Sequence, residues 1–171
     1  DASPPRALDT SEIKRVVDDY RKAAENAKAA GFDGVELHGA NGYLVDQFLR
    51  DGSNKRTDAY GGSIENRTRF LAEILAALTS VFPATRVGVR FSPFSSFGDI
   101  SDSNPMATFG AAITVASNAG LGYLHLVEGE TGGSRELPPG GDIAALRRLF
   151  KGAYLANNGY DRAGAIAAVE S

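Results

Sequence analysis

Three residue types capable of chemistry fall within six positions: His38, Asn41 and Tyr43, separated by Gly39, Ala40 and Gly42. An imidazole N–H beside a carboxamide NH2 forms a donor pair for an oxygen that gains negative charge during a reaction. A phenol keeps its proton at neutral pH and can deliver it to a reacting group. The small residues between them let the backbone turn sharply and approach a ligand. Each residue alone also has a plain structural reading. A histidine at a strand end is often structural, and a tyrosine near a loop often packs. The trio at one strand end is what points to a site.

The elements around the trio alternate between helix and strand. Ile13, Val16, Val17, Tyr20, Ala23, Ala24 and Ala27 recur at helical spacing, with Asp9 or Thr10 as a start cap and Gly31 as the stop. The strand Gly34-Val35-Glu36-Leu37-His38 follows, then a polar loop over residues 39–62. A helix from Ser63 buries Phe70, Ile74, Leu78 and Phe82, and leads to the strand Arg86-Val87-Gly88-Val89-Arg90-Phe91. Ser103-Asn104-Pro105 reads as a cap followed by an N1 proline, opening a helix to Asn118. Tyr123-Leu124-His125-Leu126-Val127 is the third strand. A short helix carrying Ile143, Leu146, Leu149 and Phe150 precedes the fourth strand, Ala153-Tyr154-Leu155-Ala156. The turn Asn157-Asn158-Gly159-Tyr160 leads to a last helix capped by Asp161.

Four strand–helix repeats imply an α/β domain of parallel strands with right-handed crossovers, one unit over residues 1–171. Pattern alone leaves a doubly wound sheet and part of a (β/α)8 barrel both open. Either places chemistry at the C-terminal ends of the strands, in the loops after His38, Arg90, Val127 and Ala156. At 171 residues the chain is shorter than the about 250 typical of a whole barrel.

Composition narrows the classes. With 18 Lys plus Arg against 21 Asp plus Glu, no basic footprint for nucleic acid or an anionic membrane exists. Two histidines and no cysteine argue against a zinc centre and a disulfide framework. No apolar run reaches membrane-spanning length. The start, Asp1-Ala2-Ser3-Pro4-Pro5-Arg6, has no signal-peptide character and no initiator Met, as expected of a processed or truncated cytoplasmic chain. Plain structural readings suffice elsewhere. His125 is expected to be a packed core histidine, and Arg56, Asp58 and Arg67 to tie down the long loop. Residues 129–141 lack a P-loop pattern and read as a loop over the substrate side. The sequon Asn66-Arg67-Thr68 is read as chance.

The run from Gly31 to Leu44, with Asp46-Gln47-Phe48-Leu49, Asn54-Lys55-Arg56-Thr57-Asp58 and Tyr60-Gly61-Gly62-Ser63-Ile64-Glu65-Asn66-Arg67, resembles the old yellow enzyme family. Val87-Gly88-Val89-Arg90, Gly98-Asp99-Ile100-Ser101-Asp102 and Asn157-Asn158-Gly159-Tyr160-Asp161 extend the resemblance, in the manner of bacterial alkene and N-ethylmaleimide reductases. It implies a TIM-type (β/α)8 barrel of which this chain covers about four βα units, the fourth to seventh strands. It implies FMN as cofactor, NADPH or NADH as reductant, and reduction of activated C=C bonds in enones, enals, maleimides or nitro compounds. Under it, His38 and Asn41 bind the substrate's oxygen and Tyr43 gives the proton to the α-carbon. Arg90 lies beside the flavin pyrimidine, and the Asn158-Gly159 turn lies at the FMN phosphate, with Asn158 standing where the family usually has glycine. The family's first three strands and its last phosphate-binding Gly-Arg pair have no counterpart here. The rival expectations are an inactive barrel fragment without cofactor and a half-barrel assembly module without cofactor. The module would complete a barrel by pairing with the missing half-barrel or by self-association.

Overall fold

In the computed structural model, residues 6–170 are described; the N-terminal stretch Asp1 to Pro5, read above as lacking signal character, lies outside them. The first helix, α1 (Thr10–Ala29), starts at Asp9, whose backbone N–H donates to the Glu12 carboxylate at 2.8 Å. Gly31, at φ 88°, ends it in the left-handed region that a side chain would resist. Strand β1 (Val35–His38) follows, then α2 (Leu44–Leu49) and α3 (Ile64–Thr79). Strand β2 (Val87–Phe91), helix α4 (Pro105–Asn118), strand β3 (Tyr123–Val127), helix α5 (Ile143–Arg148), strand β4 (Ala153–Asn157) and helix α6 (Arg162–Glu170) complete the order. No described helix is long and apolar enough to cross a membrane.

The four strands are parallel and lie in the order β1-β2-β3-β4. A doubly wound sheet reverses its strand order at a switch point. This sheet runs sequentially, as consecutive staves of a barrel do. Register puts Leu37, Val89, Leu124 and Tyr154 in one row and His38, Arg90, His125 and Leu155 in the next. Because side chains alternate across a strand, the first row faces the helices and the second the opposite, concave face.

The core lies on the helix side. Leu37, Val89, Phe91, Leu124 and Leu126 pack with Ile13, Phe70, Ile74, Phe109 and Ile113, all buried. Each such side chain contributes roughly 1.5–3 kcal/mol relative to exposure.

Three expectations are corrected. The loop over residues 39–62 contains a helix, α2, whose Val45, Phe48 and Leu49 are buried. Leu149 and Phe150 lie beyond the end of α5; Phe150 reaches the core while Leu149 is exposed. His125 is on the concave face, not among the helix-side apolar residues, with its Nδ1 3.0 Å from Glu36 Oε2. The pairing is polar because its row meets no helix.

The ties expected in the long loop are present. Arg56 pairs with Asp58 at 2.5 Å and donates to the Leu8 carbonyl, joining the loop to the start of α1. Arg67, buried, pairs with Asp102 at 3.0 Å and donates to the Leu49 carbonyl. Within the sequon, the Asn66 carboxamide donates to the Gly61 carbonyl at 3.0 Å and Thr68 is buried.

Candidate active site

His38 and Asn157 are the last residues of β1 and β4 and Arg90 the last but one of β2, so the three lie at one end of the sheet. The loop after β1 begins as a continuation of the ladder, with the Gly39 N–H donating to the Arg90 carbonyl at 2.9 Å. A Cβ on Gly39 would sit 2.8 Å from the Phe91 ring, so only glycine lets the chain fold over it. Asn41 (φ 59°) and Gly42 (φ 73°) then take two successive left-handed conformations and reverse the chain.

Helix α2 anchors that reversal from beneath. The Gly42 N–H donates to Asp46 Oδ2 at 3.0 Å, and Arg50 Nε donates to Asp46 Oδ1 at 2.8 Å. Both Asp46 and Arg50 are buried. Burial raises the Asp46 carboxyl above its ordinary range, against the pull of Arg50. Arg50 also donates to the Ser92 carbonyl at 2.5 Å and lies over the Phe109 ring at 4.8 Å, locking α2 to β2 and α4.

On this support His38 and Tyr43 come together, with Asn41 in the loop between them. The His38 and Tyr43 rings have centroids 5.5 Å apart at 52°, and Tyr43 is 58% exposed. His38 is pushed below its ordinary value by burial and then by the charge of Arg90, so its neutral imidazole is the resting form at pH 7. The Asn41 backbone N–H donates to Ser92 Oγ at 2.9 Å, and its Oδ1 accepts from the Thr131 hydroxyl at 2.8 Å. Arg90, beside His38 in the register, reaches across the concave face to donate to Asn157 Oδ1 at 3.2 Å. Deeper on that face, burial works to raise Glu36. The hydrogen bonds from His125 and Tyr123 and the charge of Arg90 outweigh it and leave the carboxyl below its ordinary value.

The Asn158-Gly159 turn stands at the end of β4. Asn158 takes φ 148° and Gly159 φ 60°, so the asparagine holds a conformation that glycine adopts more readily. Its carboxamide offsets part of that strain by donating to the Glu128 and Glu130 carbonyls at 2.9 and 2.8 Å. Glu128 in turn accepts from Tyr154 (2.6 Å), Tyr160 (2.5 Å) and Arg135 (3.2 Å). Among the described residues, no protein acceptor meets the backbone N–H of Asn158 or Gly159.

The structure thus gathers His38, Asn41, Tyr43 and Arg90 on neighbouring strand ends, with Asn158 and Gly159 two strands from Arg90. Sequence reasoning missed the Asp46–Arg50 pair and the contact of Thr131 with Asn41. The i, i+4 spacing of Asp46 and Arg50 is a signal in retrospect. The Thr131 contact joins residues 90 positions apart, and nothing local announces it.

Comparison with known proteins places the fold in a family. Residues 2–170 match the NADH:flavin oxidoreductase / NADH oxidase family. The 12-oxophytodienoate reductase 1 of Oryza sativa subsp. japonica is 46% identical over 164 residues, which are 94% of this chain and 43% of that protein. Morphinone reductase superposes with a TM-score of 0.92 at 43% identity, over 98% of this chain and 45% of its own. The old yellow enzyme homologue from Zymomonas mobilis gives 0.87 at 38% identity, over 96% and 47%. The chain therefore spans about half the length of the relatives it matches, and its four βα units are part of a (β/α)8 barrel. With nearly the whole of its described length matched in sequence and superposed in fold, this chain belongs to the NADH:flavin oxidoreductase / NADH oxidase family, the old yellow enzymes among them.

Proposed function

We propose that this chain carries the substrate-activating part of an FMN-dependent reductase of activated C=C bonds, driven by NADH or NADPH. The observation that carries the reading is the contact of His38 with Tyr43 at the end of β1, across the loop that holds Asn41 and beside Arg90 in the register. His38 and Asn41 hold the carbonyl or nitro oxygen of an enone, enal, maleimide or nitroalkene and draw charge toward it. Tyr43, largely open to solvent, delivers its phenolic proton to the α-carbon as that carbon becomes basic. Bound FMN supplies the hydride-transfer chemistry.

The residues present fit that group on two counts. Arg90 places a fixed positive charge on the concave face, suited to a flavin edge that gains negative charge on reduction. The unmet N–H groups of Asn158 and Gly159 suit a phosphate.

The test uses the flavin-loaded protein that contains this chain. His38→Ala and Asn41→Ala should each weaken binding of a phenol probe and lower alkene turnover by about 10²-fold. Unchanged affinity and turnover in both variants would remove the pair from the site.

A second reading, a half-barrel module that holds no cofactor alone, is favoured by one observation: among the described residues, β1 and β4 each have a single strand partner. Unpaired strand edges invite another chain. FMN fluorescence quenching and light scattering on the isolated 171-residue chain separate the two. Weak binding with self-association supports the module reading. Tight binding by a monomer refutes it.

A further inference from the structure

Resting on the reading of Asn41 as an oxygen-binding donor, we infer that Thr131 is the positioning residue that fixes which end of the Asn41 carboxamide faces the substrate. A carboxamide has one donor end and one acceptor end of nearly equal shape. Its two flips present opposite chemistry to a ligand, so something in the protein has to choose between them.

The choice is written in a directed chain of hydrogen bonds through residues 95 and 131. The Ser95 hydroxyl oxygen accepts from two backbone N–H groups, those of Phe97 and Thr131, each at 3.2 Å. Those two bonds occupy its lone pairs, so its own proton is given away. The shorter of its two outlets is Thr131 Oγ1, at 2.8 Å against 3.3 Å to Glu130 Oε2. Thr131 Oγ1 thus receives a proton from Ser95, and its own proton goes to the Asn41 oxygen, 2.8 Å away. The flip that would turn the Asn41 NH2 toward Thr131 would leave the Thr131 proton without a protein acceptor among the described residues, since the Ser95 lone pairs are already taken. The NH2 is left facing away from Thr131, and among the described residues it meets no protein acceptor.

The relay is held rigidly. Ser95 is 2% exposed. Glu130, next to Thr131, clamps the β2 loop by accepting from the backbone N–H and hydroxyl of Ser96, both at 2.9 Å. The backbone carbonyl of Glu130 is gripped in turn by Asn158. Asn41 sits in the loop after β1, Ser95 after β2 and Thr131 after β3, so three strand-end loops set one amide. The consequence is selectivity for ligands that present an acceptor oxygen over ligands that present an N–H.

The experiment measures phenol-probe affinity in the flavin-loaded protein for Thr131→Val and Thr131→Ser, each with Asn41 intact and in an Asn41→Ala background. With Asn41 intact, Val keeps the shape and loses the donor, and affinity should fall about five- to tenfold, the size of one hydrogen bond. Ser keeps the hydroxyl and should stay within about twofold. With Asn41→Ala, Thr131→Val should cause no further loss, because a positioning residue has nothing left to position. FMN content should be the same in all variants. An unchanged affinity for Thr131→Val, while Asn41→Ala does lose affinity, overturns this inference alone. So does an equal loss in the Asn41→Ala background, which would make Thr131 a general support of its loop. If Asn41→Ala itself loses nothing, the donor-pair reading fails and takes this inference with it.

Discussion

The first three strand–helix units of the molecule and the fourth follow the same order of elements and end in different states. In β2, four of five residues are buried. In β4 none is, and α6 contributes no buried residue. Edge position alone does not explain this, because β1 is also an edge. Leu37 of β1 is nonetheless buried, since α1 precedes the strand and packs on α3 to close that flank. Among the described residues, no helix packs on the far side of α6. Of the exposed large apolar residues, Tyr43 and Phe97 belong to the loops after β1 and β2, Phe32 and Leu149 lie singly before β1 and after α5, and Leu155, Ile166 and Val169 belong to the fourth unit. Burial here depends on a helix having neighbours on both sides, as the staves of a closed barrel do.

The strongest way to break the contrast is at Arg67. Its guanidinium is buried and joins α3 to Leu49 at the end of α2 and to Asp102 and Thr108 near α4. Arg67→Ala leaves the fully buried Asp102 side chain without its cation, and should cost about 3–5 kcal/mol of stability. Urea unfolding measures it. A loss under about 1 kcal/mol would show that the first units are not held by this pair.

A smaller effect is expected where the two regions meet. Arg90 belongs to β2 but bonds to Asn157 of β4, and its charge helps hold His38 below the ordinary value. Burial pushes His38 down first, Arg90 next, with His125 in the same sense; Glu36 and Asp46 pull the other way. A depressed histidine means that the unfolded chain takes up its proton first as pH falls. Stability is then lost from about pH 6.5 downward, until the folded value is passed. Arg90→Gln should raise the His38 midpoint, read from its ring C–H resonances, and shrink that acid loss. A midpoint that does not move would mean burial alone sets it.

Much of this was legible in the sequence because it is local. Four strand–helix repeats, the Asn104-Pro105 helix start and the His38–Asn41–Tyr43 loop can each be read from a few consecutive residues. Helix α2 was not, because six residues make less than two turns and its apolar positions sit in a polar stretch. Its stability comes from the Asp46–Arg50 pair and from burial under the loop, which are tertiary. His125 was misplaced for a related reason. Its strand reads as continuously apolar around it, and only the register across three strands reveals that Glu36 faces it. The site residues were visible by type, but the contact that orients Asn41 needed the fold.

The smallest effect should come from α6, and its smallness is informative. Val169 is 88% exposed and Ile166 48%. Charged substitutions there remove little packing, so Ile166→Lys and Val169→Lys in the 171-residue chain should change unfolding free energy by no more than about 0.5 kcal/mol. They should reduce self-association seen by light scattering, because an exposed aliphatic patch beside an open strand edge is a surface for other chains. In a protein extended to the length of the relatives, α6 would gain a neighbour on its far side, as α3 has in α4. The same substitutions would then cost roughly 1.5–3 kcal/mol each, the value of a buried aliphatic side chain. Equal small costs in both contexts would mean that α6 stays exposed in the complete barrel, and that the contrast with the first three units is intrinsic to the fourth. A large cost in the short chain would instead show that α6 already packs against β4 as the other helices pack on their strands.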